Sequence, residues 1–397
     1  MKVLLVFLLS DFWKLATISI NYAVYEQGFR SLGVDASAVC LPGRQIGYEG
    51  AVTLANGEDD FRDVEYWRSL HADVAIVTTW CHYGEELSAM RAAGLKVINL
   101  SDSNGFVTAW SHPDEWLKRI MIYQRSLQMK LRSAFFWLRE YLFPQTDIER
   151  VRLSLRNSDS IILHSEAAVA NLRRFSDRFP EDGFERKFHV VPYPVKDMFC
   201  ELDPTARLRE DRILAIGRWD DPQKDTPLLV RTLERFAKQR GKTRVAIIGR
   251  GGDSFFAPLT AQCPQIQYLG MRTHTELRDL YLSSRAILFT SRWETGPVAA
   301  GEALASGCTL IGVPLMNFLT YHLVGPFGCC SPDRSAVRLA ETIDTEMQAW
   351  DRGERLPNEI AGYWRARLNA TTVCRQLLAT IDLDIDRLHK MQSSCSV

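Results

Sequence analysis

Two stretches in the second half of the chain carry charged side chains at spacings that suit chemistry. In Gly217-Arg218-Trp219-Asp220-Asp221-Pro222-Gln223-Lys224, an arginine and a lysine lie six residues apart on a turn after an apolar strand. In Glu294-Thr295-Gly296-Pro297-Val298-Ala299-Ala300-Gly301-Glu302, two glutamates lie eight apart across the start of a helix. Arginine binds a phosphate bidentately and lysine adds a point charge. Cations aimed at the charge a leaving group gains supply much of a catalytic effect, and a fixed pair can do the work of a divalent metal. Taken singly, each feature is an ordinary solvated turn or helix end. Together, in this order and within one αβ-rich segment, they suit a sugar carried on a nucleoside diphosphate.

The elements that must position them follow from the flanking residues. Ala286-Ile287-Leu288-Phe289 reads as a buried strand. Pro297 suits the first helical position, where a missing N–H loses nothing, and Thr295 suits the N-cap. Gly307 is placed to end the helix in the left-handed conformation. Such a helix start offers N–H groups and a positive dipole end to an anion, with Gly296, Pro297 and Val298 at the cradle. Glu302 lies about 7–8 Å along the axis from Pro297 at ~1.5 Å per residue, the reach from a diphosphate to its ribose. Glu294, before the helix, falls on the sugar side.

The segment from Arg212 to Pro314 resembles the C-terminal domain of the family 4 retaining glycosyltransferases, the glycosyl transferases group 1. The resemblance rests on Ile216-Gly217-Arg218 with Lys224, and on a second strand ending in Gly249-Arg250-Gly251. It rests also on a third strand ending in Leu269-Gly270, on the two glutamates, and on Glu302-Ala303-Leu304-Ala305-Ser306-Gly307. It implies the GT-B fold: two Rossmann-like, doubly wound α/β domains facing across a cleft, with the last helix crossing back to the first domain. The N-terminal domain would be 1–196 with 363–397, and the nucleotide-sugar domain 197–362. Arg218 and Lys224 would stabilise the leaving diphosphate, Glu294 would orient the sugar and Glu302 would bind the ribose. Gly217, Gly249, Gly251, Gly270, Met271, Thr295 and Gly296 would complete the donor site. Uridine is the commoner base and guanosine the next.

Composition agrees with an ordinary globular enzyme. The 397 residues suit two or three domains. Lys plus Arg equal Asp plus Glu at 48 each, which removes any global attraction to nucleic acid. Nine cysteines without a CxxC pair suggest reduced thiols and a cytoplasmic setting. The apolar start, followed at once by Asp11 and Trp13, reads as a first parallel strand rather than a signal peptide.

In the N-terminal half, strands are expected at 3–9, 36–41, 74–78, 97–100, 160–163 and 189–191, with helices at 18–32 and 85–93. A polar linker is expected at 196–210 and a long helix at 363–381. Two strand ends are chemically rich. Asp102, in Ser101-Asp102-Ser103-Asn104-Gly105, is the first choice for a catalytic residue near the donor sugar, with Asn104 beside it. His82 is the second. Against these stand an Asx-turn role for Asp102 and a structural hydrogen bond for His82.

By resemblance, the acceptor hydroxyl attacks on the face the diphosphate leaves. No metal is expected, since Asp382-Leu383-Asp384 and Asp384-Ile385-Asp386 lie near the tail and read as a solvated face. A GT-B epimerase or phosphorylase, or a noncatalytic nucleotide-sugar-binding subunit, stays open beside a transferase to a glycan, glycolipid or small molecule. Residues 116–143 hold Lys118, Arg119, Arg125, Lys130, Arg132 and Arg139 interleaved with many apolar and aromatic side chains, against the single acid Glu140. Two readings fit: a helical insertion packed on its own domain with snorkelling arginines, or a membrane-surface or lipid-acceptor helix.

Overall fold

Parallel strands covered on both faces must be apolar throughout rather than alternating. The inner strands of this chain are mostly of that character. A computed structural model describes residues 1–8, 12–42, 50–79, 81–124, 126–314 and 327–383, with the side chains of 12–21 left out. It divides into two compact units. One is Met1–Pro194 with Ala370–Val397, and the other is Val195–Asn369.

The first unit contains a parallel sheet of β1 (Lys2–Val6), β2 (Asp35–Cys40), β3 (Val52–Leu54), β4 (Val74–Thr79), β5 (Lys96–Ser101), β6 (Ser160–Leu163) and β7 (Phe188–Val190). Their spatial order is β3-β2-β1-β4-β5-β6-β7. Alternate residues of one strand serve opposite layers. Val3 and Leu5 join a cluster with Tyr22, Tyr25 and Phe29. Leu4 and Val6 join Trp67, Leu87 and Met90. The strands expected from sequence are all present, with ends shifted by a residue or two at most within the described residues. Residue 9 of the first expected strand lies outside those residues. Strand β3 is additional.

The second unit contains β8 (Arg212–Arg218), β9 (Arg244–Arg250), β10 (Ile266–Gly270), β11 (Ala286–Leu288), β12 (Thr309–Gly312) and β13 (Gly328–Cys330). Their order is β10-β9-β8-β11-β12-β13, and every pairing is parallel. In each sheet the winding reverses once, between β1 and β4 and between β8 and β11. The crevice at the carboxyl ends of such a pair is where open α/β sheets bind ligands.

Two expectations are corrected. The terminal helix is not continuous: Pro357–Leu368 ends at Asn369, which is extended (φ −62°, ψ 146°), and Ala370–Ala379 begins a new helix. The Asn369 amide donates to Arg365 O at 2.7 Å, closing the first helix with a side chain. Ala370–Ala379 then joins the first unit, where Val373, Cys374, Leu377 and Leu378 enter the cluster of Tyr25 and Phe29. Nor is 196–210 a loose linker. Phe199 is fully buried in the second core. Arg209 donates to Tyr281 O at 3.1 Å, to Pro204 O at 3.3 Å and to the carbonyls of Ser284 and Ser306. The polar composition that suggested a linker is a set of charges satisfied inside a domain. Among the described residues no helix is long and apolar enough to cross a membrane, and none of the described cysteines forms a disulfide. Asp384 and Asp386 lie outside the described residues.

Candidate active site

The charged set of the second unit assembles at the β8–β11 reversal. β8 ends on Arg218, and the chain then tightens into a single 3₁₀ turn, Pro222–Lys224, capped by Asp221. β11 leads into the loop that carries Glu294. The two loops are laced together. Arg292 N donates to Gln223 O at 2.7 Å, Thr290 Oγ1 to Lys224 O at 2.8 Å, and Gln223 Nε2 to Trp293 O at 2.7 Å. On this frame Lys224 Nζ pairs with Glu294 Oε1, which also accepts Ser291 Oγ at 2.6 Å. Both members of the pair are largely buried. Arg218 Nη2 meets Asp221 Oδ2 at 3.0 Å and keeps 43% of its side chain exposed. Lys224 and Glu294, seventy residues apart in sequence, are thus neighbours.

A second layer that sequence inspection missed holds this frame. Asp225 sits in the left-handed region (φ 50°) and is buried. Its carboxylate takes Arg292 Nη2 at 3.0 Å and Arg334 Nη2 at 2.9 Å. Arg334 also donates to Ser291 O at 2.9 Å and Thr290 O at 2.8 Å. The only signal available was an aspartate ahead of Thr226-Pro227, which marks a turn and says nothing of a distant arginine.

The glycines at the strand ends have a packing reason. At Gly249 (φ 124°) a Cβ would stand 1.8 Å from Gly217 O, so β8 and β9 approach closer there than any side chain permits. Gly251 (φ 72°) likewise leaves room for Asp220. Gly270 ends β10 in open space, with Met271 exposed beside it.

The helix Val298–Ala305 starts one residue later than expected. Pro297 is its N-cap (φ −68°, ψ 117°) and Thr295 makes no cap. A proline adopts the extended cap geometry readily but brings no side-chain acceptor. The first turn therefore keeps its N–H groups uncapped by any side chain. Gly307 ends the helix with φ 83°, as expected.

Glu302 faces inward from that helix. It is 5% exposed and accepts Tyr281 Oη at 3.1 Å. Burial pushes its pKa up to about 7, against the opposing pull of the Tyr281 hydrogen bond and Lys196. The folded pKa lies above the ordinary value of 4.5. Its contribution to stability is therefore fullest below pH ~4.5, is lost as pH rises through ~7, and amounts to about 3 kcal/mol. Glu302→Gln is accordingly expected to raise the unfolding free energy at pH 8 and to change it little at pH 4.5. Chemical denaturation across that range checks the sign. A buried carboxylate that destabilises its fold is a candidate for ligand binding.

In the first unit, Asp102 follows β5 and its N–H donates to Thr79 O at 3.1 Å. Tyr193 Oη donates to Asp102 Oδ1 at 3.2 Å. Tyr193 in turn stacks on His164 with ring centroids 3.7 Å apart. Tyr193 thus makes a positioning contact with the leading candidate. Asn104 is buried with φ 57°, and its backbone carbonyl accepts Asn171 Nδ2 at 2.9 Å. His82 follows the end of the adjacent strand β4, whose Thr79 pairs with Ser101. Burial lowers its pKa, assisted by Arg150, with Asp147 opposing. The structure brings Asp102 together with Tyr193. Among the described residues no group of three His, Cys, Asp or Glu side chains is placed to hold a metal ion.

Residues 210–348 match the family model described as Glycosyl transferases group 1. No curated protein sequence matches the chain. Among solved structures, a glycosyltransferase from Rickettsia africae ESF-5 is similar over 96% of this chain and 99% of its own, at 13% identity and TM-score 0.64. Anabaena HepE in complex with UDP is similar over 96% and 100%, at 13% identity and TM-score 0.63. Sucrose-phosphate synthase from Thermosynechococcus elongatus is similar over the full length of both chains, at 14% identity and TM-score 0.59. The two parallel-sheet α/β domains are those of the GT-B glycosyltransferases. The second unit carries a glycosyl transferases group 1 domain, and the chain is a transferase enzyme.

Proposed function

We propose that this transferase moves a sugar from a nucleoside diphosphate sugar to a hydroxyl of a glycan, glycolipid or small molecule. The uridine diphosphate sugar is the favoured donor and the guanosine form the next, the anomeric configuration is retained, and no metal is needed. The observation that carries this reading is the Lys224–Glu294–Ser291 cluster beside Arg218 at the strand reversal of the second sheet. The complex of HepE with UDP-glucose supports uridine.

The chemistry follows from the side chains. The bond between the anomeric carbon and the β-phosphate oxygen breaks, and the diphosphate leaves with one more negative charge. Arg218 and Lys224 neutralise it. The uncapped N–H groups at the start of Val298–Ala305 take phosphate oxygens. In the free protein Lys224 is committed to Glu294. A bound diphosphate competes for that cation and frees a Glu294 oxygen to accept from sugar hydroxyls. Glu302 keeps lone pairs beyond the Tyr281 bond for the ribose. The acceptor oxygen bonds to the anomeric carbon on the face the diphosphate leaves, and its proton passes to the β-phosphate oxygen. Asp102, held by Tyr193, serves near the reacting centre, with Asn104 beside it and His82 as the alternative. The acceptor belongs to the first unit, Met1–Pro194 with Ala370–Val397, and the donor to Val195–Asn369, a division that replaces the expected ends at 196 and 363. The enzyme works at a cytoplasmic site.

A calorimetric series with UDP, GDP, ADP, dTDP and CDP, each with Mg²⁺ or with EDTA, tests the donor assignment. UDP is expected to bind tightest, equally well in EDTA, and at least about tenfold more weakly to Glu302→Ala, the loss of one charged hydrogen-bonding partner. Equal, weak binding of all five overturns the reading. Turnover of the donor without any acceptor product redirects it to an epimerase.

A further inference from the structure

The helices Pro113–Tyr123 and Leu127–Leu142 of the first unit pack on each other, and neither contains a buried residue. Ser126 starts the second by accepting Met129 N–H at 3.2 Å. Trp137 sets the inner side of the pair: its indole N–H donates to Pro113 O at 3.1 Å. The outer side is apolar. At 3.6 residues per turn, Leu127, Leu131, Phe135, Leu138 and Leu142 form one stripe. Their exposures are 74, 64, 66, 45 and 56%. A helix in water ordinarily turns such a stripe inward. Here it runs about 22 Å along the surface, at ~1.5 Å per residue, and Phe143 extends it at 71% exposure. An apolar patch of this kind marks an interaction site. Of the two readings the sequence left open, packing on its own unit holds for the inner side, where Arg119 lies over the Phe106 ring, while the apolar stripe has no partner among the described residues. Arg125 lies outside them.

The charges beside the stripe choose its partner. Lys130, Arg132 and Arg139 lie on the same helix, whose single acid is Glu140. None of the three makes an ion pair among the described residues. Arg132 and Arg139 each stand 5.6 Å from the Phe136 ring, at the stripe's edge. A partner helix with matching leucines would cover the stripe and leave these cations without counter-charges. An anionic headgroup layer satisfies both at once.

We propose that this helix docks the enzyme on an anionic lipid bilayer. Its axis lies in the membrane plane, the stripe sits in the acyl boundary, and Lys130, Arg132 and Arg139 reach lipid phosphates. The inference is independent of the donor assignment.

Co-sedimentation of the full chain tests it, with vesicles of phosphatidylcholine alone or mixed with phosphatidylglycerol. Binding to the mixed vesicles is expected, at least about tenfold tighter than to phosphatidylcholine alone. Leu131→Ser with Phe135→Ser should weaken it at least about tenfold, since two insertions are lost. Arg132→Gln with Arg139→Gln should remove most of its salt dependence. These side chains are exposed, so both variants are expected to keep wild-type UDP affinity and thermal midpoint. That separates a docking defect from a folding or donor-site defect. No binding to the mixed vesicles, or binding indifferent to Leu131→Ser with Phe135→Ser, overturns the proposal. Self-association in the ultracentrifuge that this variant abolishes, without vesicle binding, reassigns the stripe to a second copy of the chain.

Discussion

Arg218→Ala is expected to lower kcat by about 10²–10³, the usual consequence of losing one donor to developing transition-state charge, while leaving the thermal midpoint in place. Both halves of that expectation come from the geometry. Arg218 is well exposed, and its partner Asp221 is three residues away on the same turn. An exposed pair of this kind contributes about 0–1 kcal/mol to stability. A fall in turnover therefore reports chemistry rather than folding. Lys224→Met should match it in turnover and differ in stability, because it strands Glu294 with Ser291 and Gln223 as its remaining partners. Steady-state kinetics of both variants, with thermal scans, separate the two. Unchanged turnover in Arg218→Ala removes that residue from the reaction.

Asp225→Ala is expected to destabilise the second unit by roughly 3 kcal/mol, the low end for breaking a buried ion pair from one side. The aspartate is buried, and Arg292 and Arg334 both depend on it. Its loss also removes the clamp through which Arg334 holds the carbonyls of Thr290 and Ser291. Glu294 then loses its fixed approach to Lys224, and turnover should fall with stability. Asp225→Asn distinguishes the parts. Asparagine tolerates the left-handed backbone and keeps one acceptor, so its denaturation midpoint should fall about half as far. Equal midpoints for the alanine variant and the unaltered protein would contradict the clamp.

The parts of this molecule legible in its sequence are those governed by local chemistry. The buried strands announce themselves as short apolar runs. β3, Val52–Leu54, does not, because a three-residue edge strand carries no pattern. The Arg218–Lys224 and Glu294–Glu302 spacings were readable because each lies within one turn-and-helix unit. Asp225–Arg334 was not, since nothing in either segment names its partner across 109 residues. The end of the helix at Asn369 was missed because asparagine is tolerated within helices. Its side chain competes for a helical carbonyl only where tertiary contacts hold it. The stripe from Leu127 to Leu142 shows a different limit. Periodicity identifies an apolar face but not the medium that face meets.

The segment Val195–Asn369 interrupts the first unit, and its two ends are joined. Val195 N donates to Leu368 O at 2.8 Å, and Val195 bridges Asn369 in parallel. On the ribosome this dictates an order of assembly. The seven strands of the first sheet emerge early, but Val373, Cys374, Leu377 and Leu378, which complete one of its layers, are made last. At ~5–20 residues per second, the nascent first unit waits many seconds with that layer open while the whole inserted unit is synthesised and closes on its own ends. The insertion can mature as a free-standing domain, whereas the unit it interrupts is finished only after it.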